Sequence, residues 1–329
     1  MNTRRKLVIA LGVGVLAPIA SLAQQPGKVW RVGFLAQRRV DFVEADSIFG
    51  PFTQGMRELG FVEGGNLAII WRSAEGNIER LPELAAELAR LNPDVLVTNG
   101  TPASLAAQKA TATIPIVMVN VADPLATGLV KSLARPGGNS TALSTIGSEL
   151  GPKLLEILRT MVPKASRVAV LVNPANPVTA PTLQNILAAA QKLDLKIQPV
   201  EARTPQEIAN GFGAMARQNA GALVVSLDPF LVQQKSQIAE LAAKHRLPSI
   251  AGHGEYAEAG GLMIYGQSIR ENYKRAASYV DKIFKGAKAG ELPVEMPTKF
   301  EMIVNLKTAK ALGIKVPQSI LIQATRVIE

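Results

Sequence analysis

The stretch from Pro93 to Pro124 constrains the fold of this chain more than any other part of it, and reads PDVLVTNGTPASLAAQKATATIPIVMVNVADP. It contains two short apolar runs, at 94–98 and 114–119, and a polar break follows each run. Such runs are typical of strands that are buried on both faces of a sheet. Thr101-Pro102 and Asp123-Pro124 each resemble a helix N-cap followed by proline at the first helical position. The pattern predicts a strand–helix–strand unit with parallel strands and a right-handed crossover.

The two polar breaks of this unit fall at the carboxyl ends of neighbouring parallel strands. In open α/β sheets this edge is where ligands bind, and the free N–H groups of helix N-termini favour anions there. The alternative is that each polar residue only caps a helix or forms a turn. The sequence leaves both interpretations open.

The same alternation of apolar strand and amphipathic helix continues on both sides of this unit. Strands are expected at 29–35, 66–72, 141–145, 167–172, 196–200, 222–227, 248–251, 262–265 and 300–306. The sequence therefore predicts two doubly wound α/β lobes with parallel sheets, joined by hinges near Ser144 and near 265–268. The expected divisions are a first lobe at 28–144, a second at 145–266, and a return segment at 267–329 that packs across both. We also expect a helix from Asp123 to about Ala134 and a single helix over 231–245.

The first 23 residues have the three parts of an export signal. Arg4, Arg5 and Lys6 precede an apolar segment at 7–20, which is short for a membrane span, and Ser21-Leu22-Ala23 is a small-x-small cleavage site. We expect cleavage near Ala23 and a soluble, periplasmic mature chain. Its removal takes away three basic residues and no acidic ones, so the net charge falls from +10 to +7. That charge does not require a nucleic-acid partner, and we expect none.

The residues that enzymes use for catalysis are scarce in this chain. There is no cysteine and there are two histidines, and no G-x-S-x-G, P-loop or G-x-G-x-x-G motif occurs. His245 lies at a predicted helix end, where a positive side chain suits the helix dipole. His253 and Glu255 could form a metal or acid–base pair, but two ligands without a third make a poor metal site. We therefore expect no catalytic residue, metal or cofactor, and interpret His253 as part of a cleft lining or loop.

The predicted strand ends instead carry small polar and acidic side chains that could bind a solute in the cleft between the lobes. Helix N-termini with hydroxyl groups can hold a carboxylate, an aspartate on the opposite side can hold an ammonium group, and aromatic rings can cover an apolar side chain. The predicted ligand-binding residues are Gln37, Asn99, Thr101, Ser104, Asn120 and Asp123 from the first lobe, and Asn173, Asn176, Asp228, Phe230, Glu255 and Tyr256 from the second.

Several segments together resemble one protein family. They include VTNGTPASLAAQKAT, IPIVMVNVADPLATGLVKSLARPGGN, VAVLVNPANP, AEAGGLMIYG and LPVEMPTKFEMIVNLKTAKALGIKVP. The chain is similar to the ABC transporter substrate-binding proteins of the tryptophan/tyrosine type, which have the type I periplasmic-binding-protein fold. The resemblance covers nearly the whole mature chain. It implies an extracytoplasmic receptor that closes two lobes on a small solute, such as an amino acid, and delivers it to a membrane permease. We expect a monomer.

One segment departs from the family pattern, because Ser140-Thr141-Ala142 stands where Val-Thr-Gly is common. Arg38 and Arg39 after the first strand, and an aromatic content of 5%, also leave room for an acidic or other solute. Two other functions stay open, an exported enzyme that uses the cleft and a ligand-sensing protein of the same fold. A sensor that binds DNA would need a helix-turn-helix before the first strand, where the export signal lies instead.

Overall fold

The structure is a computed structural model and describes residues 28–40 and 49–329. The predicted signal peptide at 1–23 lies outside the described residues. No helix in the described part of the chain is long and apolar enough to span a membrane.

The first sheet is parallel throughout and has the strand order β2-β1-β3-β4-β5. Its strands are β1 (Trp30–Ala36), β2 (Leu67–Ser73), β3 (Val95–Asn99), β4 (Ile116–Ala122) and β5 (Ser140–Thr145). All five residues of β3 are buried, as expected for a strand covered by helices on both faces. The strand–helix–strand unit predicted at 93–124 is therefore confirmed for both of its strands.

The second sheet has the order β12-β11-β10-β9-β8-β6-β7 and is mixed, because β10 and β11 pair antiparallel. Its strands are β6 (Arg167–Val172), β7 (Lys196–Glu201), β8 (Ala222–Val225), β9 (Ser249–Ala251), β10 (Met263–Gly266), β11 (Glu301–Asn305) and β12 (Arg326–Ile328). Two parallel-sheet α/β lobes were predicted and are confirmed, with the antiparallel pairing as a departure at one side of the second.

The helices of the described residues alternate with these strands. They are α1 (Gly50–Glu58), α2 (Leu81–Arg90), α3 (Gly100–Ala110), α4 (Gly147–Met161), α5 (Thr179–Lys192), α6 (Pro205–Arg217), α7 (Pro229–Gln233), α8 (Lys235–Lys244), α9 (Glu255–Glu258), α10 (Ile269–Phe284), α11 (Leu306–Leu312) and α12 (Gln318–Gln323). Short 3-10 turns occupy Ile78–Arg80 and Ala289–Glu291.

Helix α10 follows the second lobe in sequence but packs on the first. Its buried face includes Tyr273, Ala277 and Val280, which belong to the same apolar cluster as Phe34 and Phe52 of the first lobe. A fully buried large apolar side chain contributes about 1.5–3 kcal/mol, so this face is a substantial share of the first lobe's core. The chain then returns to the second sheet as β11.

The helix predicted after Asp123 is wrong, because residues 123–139 form turns, bends and irregular backbone. Asp123 has a φ of +45°, and Gly128 has a φ of +73°, whereas an N-cap residue is extended. The buried side chains of Leu129 and Val130 pack in an apolar cluster of the first lobe that also includes Leu35 and Leu88. The apolar run that resembled a helix is therefore a buried loop. The single helix predicted at 231–245 is divided in two at Gln234.

Candidate functional site

The carboxyl ends of the two sheets face each other across a cavity of about 40 Å³, which is room for about three water molecules. Both lobes and helix α10 contribute to its wall. The lining residues are Arg38, Asn99, Gly100, Thr101, Asn120, Ala122 and Thr145 from the first lobe, Asn176, Val178, Leu227, Pro229 and Val232 from the second, and Ile269 and Tyr273 from α10.

The two lobes are in direct contact around this cavity. A Cβ atom added to Gly100 would lie 3.0 Å from Cγ of Pro229 in the other lobe. The backbone N–H of Arg39 donates to Oε1 of Gln233 at 3.1 Å, and Val232 packs into the first lobe's apolar core. The lobes therefore stand in a closed arrangement.

The first lobe brings polar atoms with unfilled hydrogen-bonding capacity to the cleft. Oδ1 of Asn99, which lines the cavity, is buried without a hydrogen-bond partner in the protein. Both side-chain polar atoms of Gln37 are also unpaired, although Gln37 does not line the cavity. Oη of Tyr273 also lacks a hydrogen bond of standard geometry. Burial raises the pKa of this phenol, and the nearby side chains of Asn120 and Asn99 partly oppose the rise. An unpaired buried polar atom costs about 1–3 kcal/mol, and a bound polar solute would recover that cost.

Asn120 and Thr101 are held in place by the protein itself. Oδ1 of Asn120 accepts from Nδ2 of Asn272 at 2.7 Å, and its own amide reaches the carbonyl of Ile269. Thr101 was expected to cap α3, but the helix begins at Gly100, and Oγ1 of Thr101 accepts from the backbone N–H of Ala122 at 3.2 Å. Both residues line the cavity, although the N-cap role predicted for Thr101 is wrong.

On the second lobe, Asp228 is a buried support rather than a wall of the cavity. Its carboxylate accepts from the backbone N–H groups of Phe230 and Leu231, and from the amides of Asn173 and Asn176. Burial raises the pKa of Asp228, and these four donors oppose the rise. Asp228 thereby caps α7 and fixes the orientation of Asn176, which does line the cavity.

Several other predicted site residues lie away from the cavity. Ser104 donates to the carbonyl of Gly100 and pairs with Thr98, and Tyr256 is fully buried with its hydroxyl on Ser249 at 2.7 Å. Phe230 belongs to the second lobe's core. Residues that were predicted to bind a ligand but do not line this cavity are Gln37, Ser104, Asp123, Asn173, Asp228, Phe230, Glu255 and Tyr256.

Glu255 belongs to a small charge cluster that joins the lobes beside the cavity. Its Oε2 lies 3.0 Å from Nζ of Lys235 and 3.8 Å from Nη2 of Arg38. Burial alone would raise the pKa of Glu255, but the two cations outweigh burial and leave that pKa lowered. His253, beside them, is buried, and burial lowers its pKa to about 4. The described residues contain no group of three or more side chains suited to hold a metal ion.

The sequence interpretation did not select Arg38, Thr145, Leu227 or Tyr273 as ligand-binding residues, yet all four line the cavity. Arg38 had a usable signal, because it follows Gln37 at the carboxyl end of the first strand. Tyr273 had none, since it lies on a helix far along the chain that returns to the first lobe.

A family model described as ABC transporter substrate binding protein matches residues 40–328. A tyrosine-binding protein of Clostridioides difficile strain R20291 is 26% identical over 276 residues, which cover 84% of this chain and 79% of that protein.

Two solved structures share the fold. A domain from Streptococcus pneumoniae in complex with L-Trp has a TM-score of 0.82 at 23% identity, and covers 91% of this chain and 99% of its own. The ligand-free, open structure of a substrate-binding protein from Clostridium difficile has a TM-score of 0.63 at 26% identity, with the same coverage. The resemblance read from the sequence is confirmed, and the chain belongs to the ABC transporter substrate-binding protein family.

Proposed function

We propose that this protein is the extracytoplasmic receptor of an ABC importer and closes its two lobes on an amino acid. Residues 1–23 act as a cleaved export signal in this proposal, and the mature chain works as a periplasmic monomer without a cofactor. Residues 28–144 and 145–266 act as the two lobes, and 267–329 tie them together. Its partner is a membrane permease, and the solute leaves chemically unchanged.

The observation that carries this proposal is the cavity lined from both lobes. A solute that contacts both walls binds the closed arrangement better than the open one, and only such a difference can drive closure. Because the walls of the cavity come from different lobes, a solute enters while the lobes are apart and is enclosed when they close.

The chemistry of the lining supports an amino acid with an apolar or aromatic side chain. Arg38, Asn99, Asn120 and Asn176 offer polar groups, whereas Leu227 and its apolar neighbours offer a surface for a side chain. The similarity to proteins whose descriptions name tyrosine and L-Trp supports the same solute class. This chain has a higher TM-score with the ligand-bound structure than with the open, ligand-free one. That difference agrees with the contact between its two lobes.

A thermal-shift screen of the mature chain against the twenty L-amino acids tests the proposal. A ligand at 100 times its dissociation constant adds about 2.7 kcal/mol to the unfolding free energy, which raises the melting temperature by several degrees. Mass spectrometry of the recovered ligand is the accompanying check. No shift with any amino acid, or a chemically altered ligand, contradicts the proposal.

Two tyrosines provide a matched pair of variants for locating the ligand. Tyr273→Phe removes a cavity-lining hydroxyl that has no well-formed hydrogen bond within the protein, so affinity should fall while stability without ligand should stay level or rise. Tyr256→Phe removes a hydroxyl bonded to Ser249 outside the cavity, so stability should fall by about 1 kcal/mol while affinity is kept. The reverse pattern would place the ligand elsewhere.

A further inference from the structure

Arg38 is a buried cation whose guanidinium is incompletely paired. It follows β1 in the first lobe, is 8% exposed, and lines the cavity. Its backbone carbonyl accepts from Oγ of Ser73 at 2.9 Å, which anchors the loop. Nε of Arg38 has no hydrogen-bond partner, and neither does Oδ1 of Asn99, which lines the same cavity. A guanidinium presents five donors in a fixed fork, so Arg38 retains capacity for a further acceptor.

The acid beside Arg38 is shared with a second cation. Within the described residues, Glu255 is the one carboxylate that forms an ion pair with Arg38, at 3.8 Å, and it lies closer to Lys235, at 3.0 Å. His253 does not alter this balance near neutral pH, because burial holds its pKa at about 4. The cluster of Arg38, Lys235, Glu255 and His253 therefore carries one positive charge in excess.

A buried charge is costly unless it is paired and hydrogen-bonded. Binding a planar anion would lower this cost, because the guanidinium of Arg38 can donate two parallel hydrogen bonds to a carboxylate. Lys235 and Glu255 belong to the second lobe, so an anion at Arg38 would also be attracted across the cleft towards Lys235. The attraction acts only when the lobes are together.

We propose that Arg38 is the specificity-determining residue of the cleft, that it binds the carboxylate of the solute, and that Glu255 competes with the solute for it. This inference rests on the proposed function, because it concerns the same cleft. If Arg38 binds the carboxylate, the solute needs its carboxylate group for tight binding and does not need its ammonium group.

Three sets of probes separate the two groups on the solute. L-tryptophan and L-tyrosine carry both, indole-3-propionate and 3-(4-hydroxyphenyl)propionate keep the carboxylate alone, and tryptamine and tyramine keep the amine alone. By calorimetry we expect the two propionates to bind within about tenfold of the amino acids, and the amines to bind at least 100-fold more weakly. Amines that bind as well as the amino acids overturn the inference and leave the proposed function in place. If no amino acid or carboxylate binds, both are overturned.

Variants of the cluster give a second, independent test with the same probes. Arg38→Gln should weaken carboxylate binding roughly 10- to 100-fold, the usual range for a charged hydrogen-bonding partner. Arg39→Gln is the matched control, because Arg39 is adjacent and exposed, and its affinity should stay within twofold of the wild type. Glu255→Gln should tighten carboxylate binding several-fold, because it removes the competing acid.

Thermal melts without ligand show whether each variant is folded. If Arg38→Gln does not fold, Arg38→Lys decides the matter, because it keeps the charge but loses the fork that binds a carboxylate in two parallel hydrogen bonds; it should weaken carboxylate binding several-fold, and unchanged binding refutes the assignment. An Arg38→Gln protein that folds and binds the propionates within twofold of the wild type refutes the assignment, as does a Glu255→Gln protein with weakened binding.

Discussion

Gly100 is the position at which a single methyl group should change the balance between open and closed lobes. Its φ of +81° lies in the left-handed region, and an added Cβ would meet Cγ of Pro229 in the opposite lobe at 3.0 Å. We expect Gly100→Ala to lower ligand affinity and to shift the ligand-free protein towards the open arrangement. The proline ring is rigid, so the lobes must separate by a few tenths of an ångström to admit the methyl group.

The substitution has two costs that act on different states. The left-handed backbone costs an alanine about 1–2 kcal/mol, and the reduced entropy of the unfolded chain offsets about 0.4–1 kcal/mol of that. This net loss of about 1 kcal/mol is present whether the lobes are open or closed. The contact with Pro229 exists only in the closed arrangement and costs about 1 kcal/mol, at the low end for overpacking.

The affinity of Gly100→Ala should therefore fall about fivefold, and its radius of gyration without ligand should rise. Gly60→Ala is the control, because Gly60 has a φ of +88° and no atom within 4 Å of an added Cβ. Gly60→Ala should lose the same unfolding free energy from backbone strain as Gly100→Ala, and should keep the ligand affinity and the radius of gyration of the wild type. Calorimetry and small-angle X-ray scattering measure these quantities. Equal affinity and equal radius in the two variants would refute the reasoning.

Three further outcomes are expected. Asp228→Asn replaces an acceptor of four hydrogen bonds with a group that must also donate, so urea denaturation should show a loss of about 2–3 kcal/mol; an unchanged midpoint would contradict its role as a support. The pKa of His253 is about 4 in the fold against 6.5 unfolded, so the unfolded chain binds the extra proton, and stability should rise by up to about 3 kcal/mol between pH 4 and 6.5 and stay level above. His253→Gln should remove that slope, and a slope equal to that of the wild type would show that another group causes it. N-terminal sequencing of exported protein should begin near Gln24, whereas a start at Met1 in a membrane fraction would contradict cleavage.

The strands were predictable because their cause is local. Runs such as 94–98 and 167–172 are short, mostly apolar and bounded by turn residues, so their length and flanking residues locate them. The helix expected after Asp123 failed because Leu129 and Val130 are buried by tertiary contacts in a loop. Strand β12 has three residues, too few for a periodic signal.

The candidate site was only partly predictable, for a similar reason. We selected Asn99, Asn120 and Asn176 because they follow predicted strands at the carboxyl edge of a sheet, where ligands bind. These residues do line the cavity. This selection depends only on position in the chain. It could not tell which way a side chain points, so Tyr256, which bonds to Ser249 within the second lobe, was selected as well. Tyr273 lies on helix α10 and follows no strand end, so a rule based on strand ends could not select it. Only the folded structure shows that this helix brings Tyr273 to the cavity.

Helix α10 also sets an order of events during synthesis. The ring of Tyr273 contacts Phe49 at a centroid distance of 5.2 Å, and Phe284 stacks on Trp30 at 4.1 Å. The first sheet ends at Thr145, so the ribosome must add about 140 more residues before Phe284 is made, which takes on the order of ten seconds. During that interval the apolar face of the first lobe that α10 covers is exposed, and we expect chaperones to bind it. A nascent chain arrested before Ile269 should accordingly be recovered with chaperones bound.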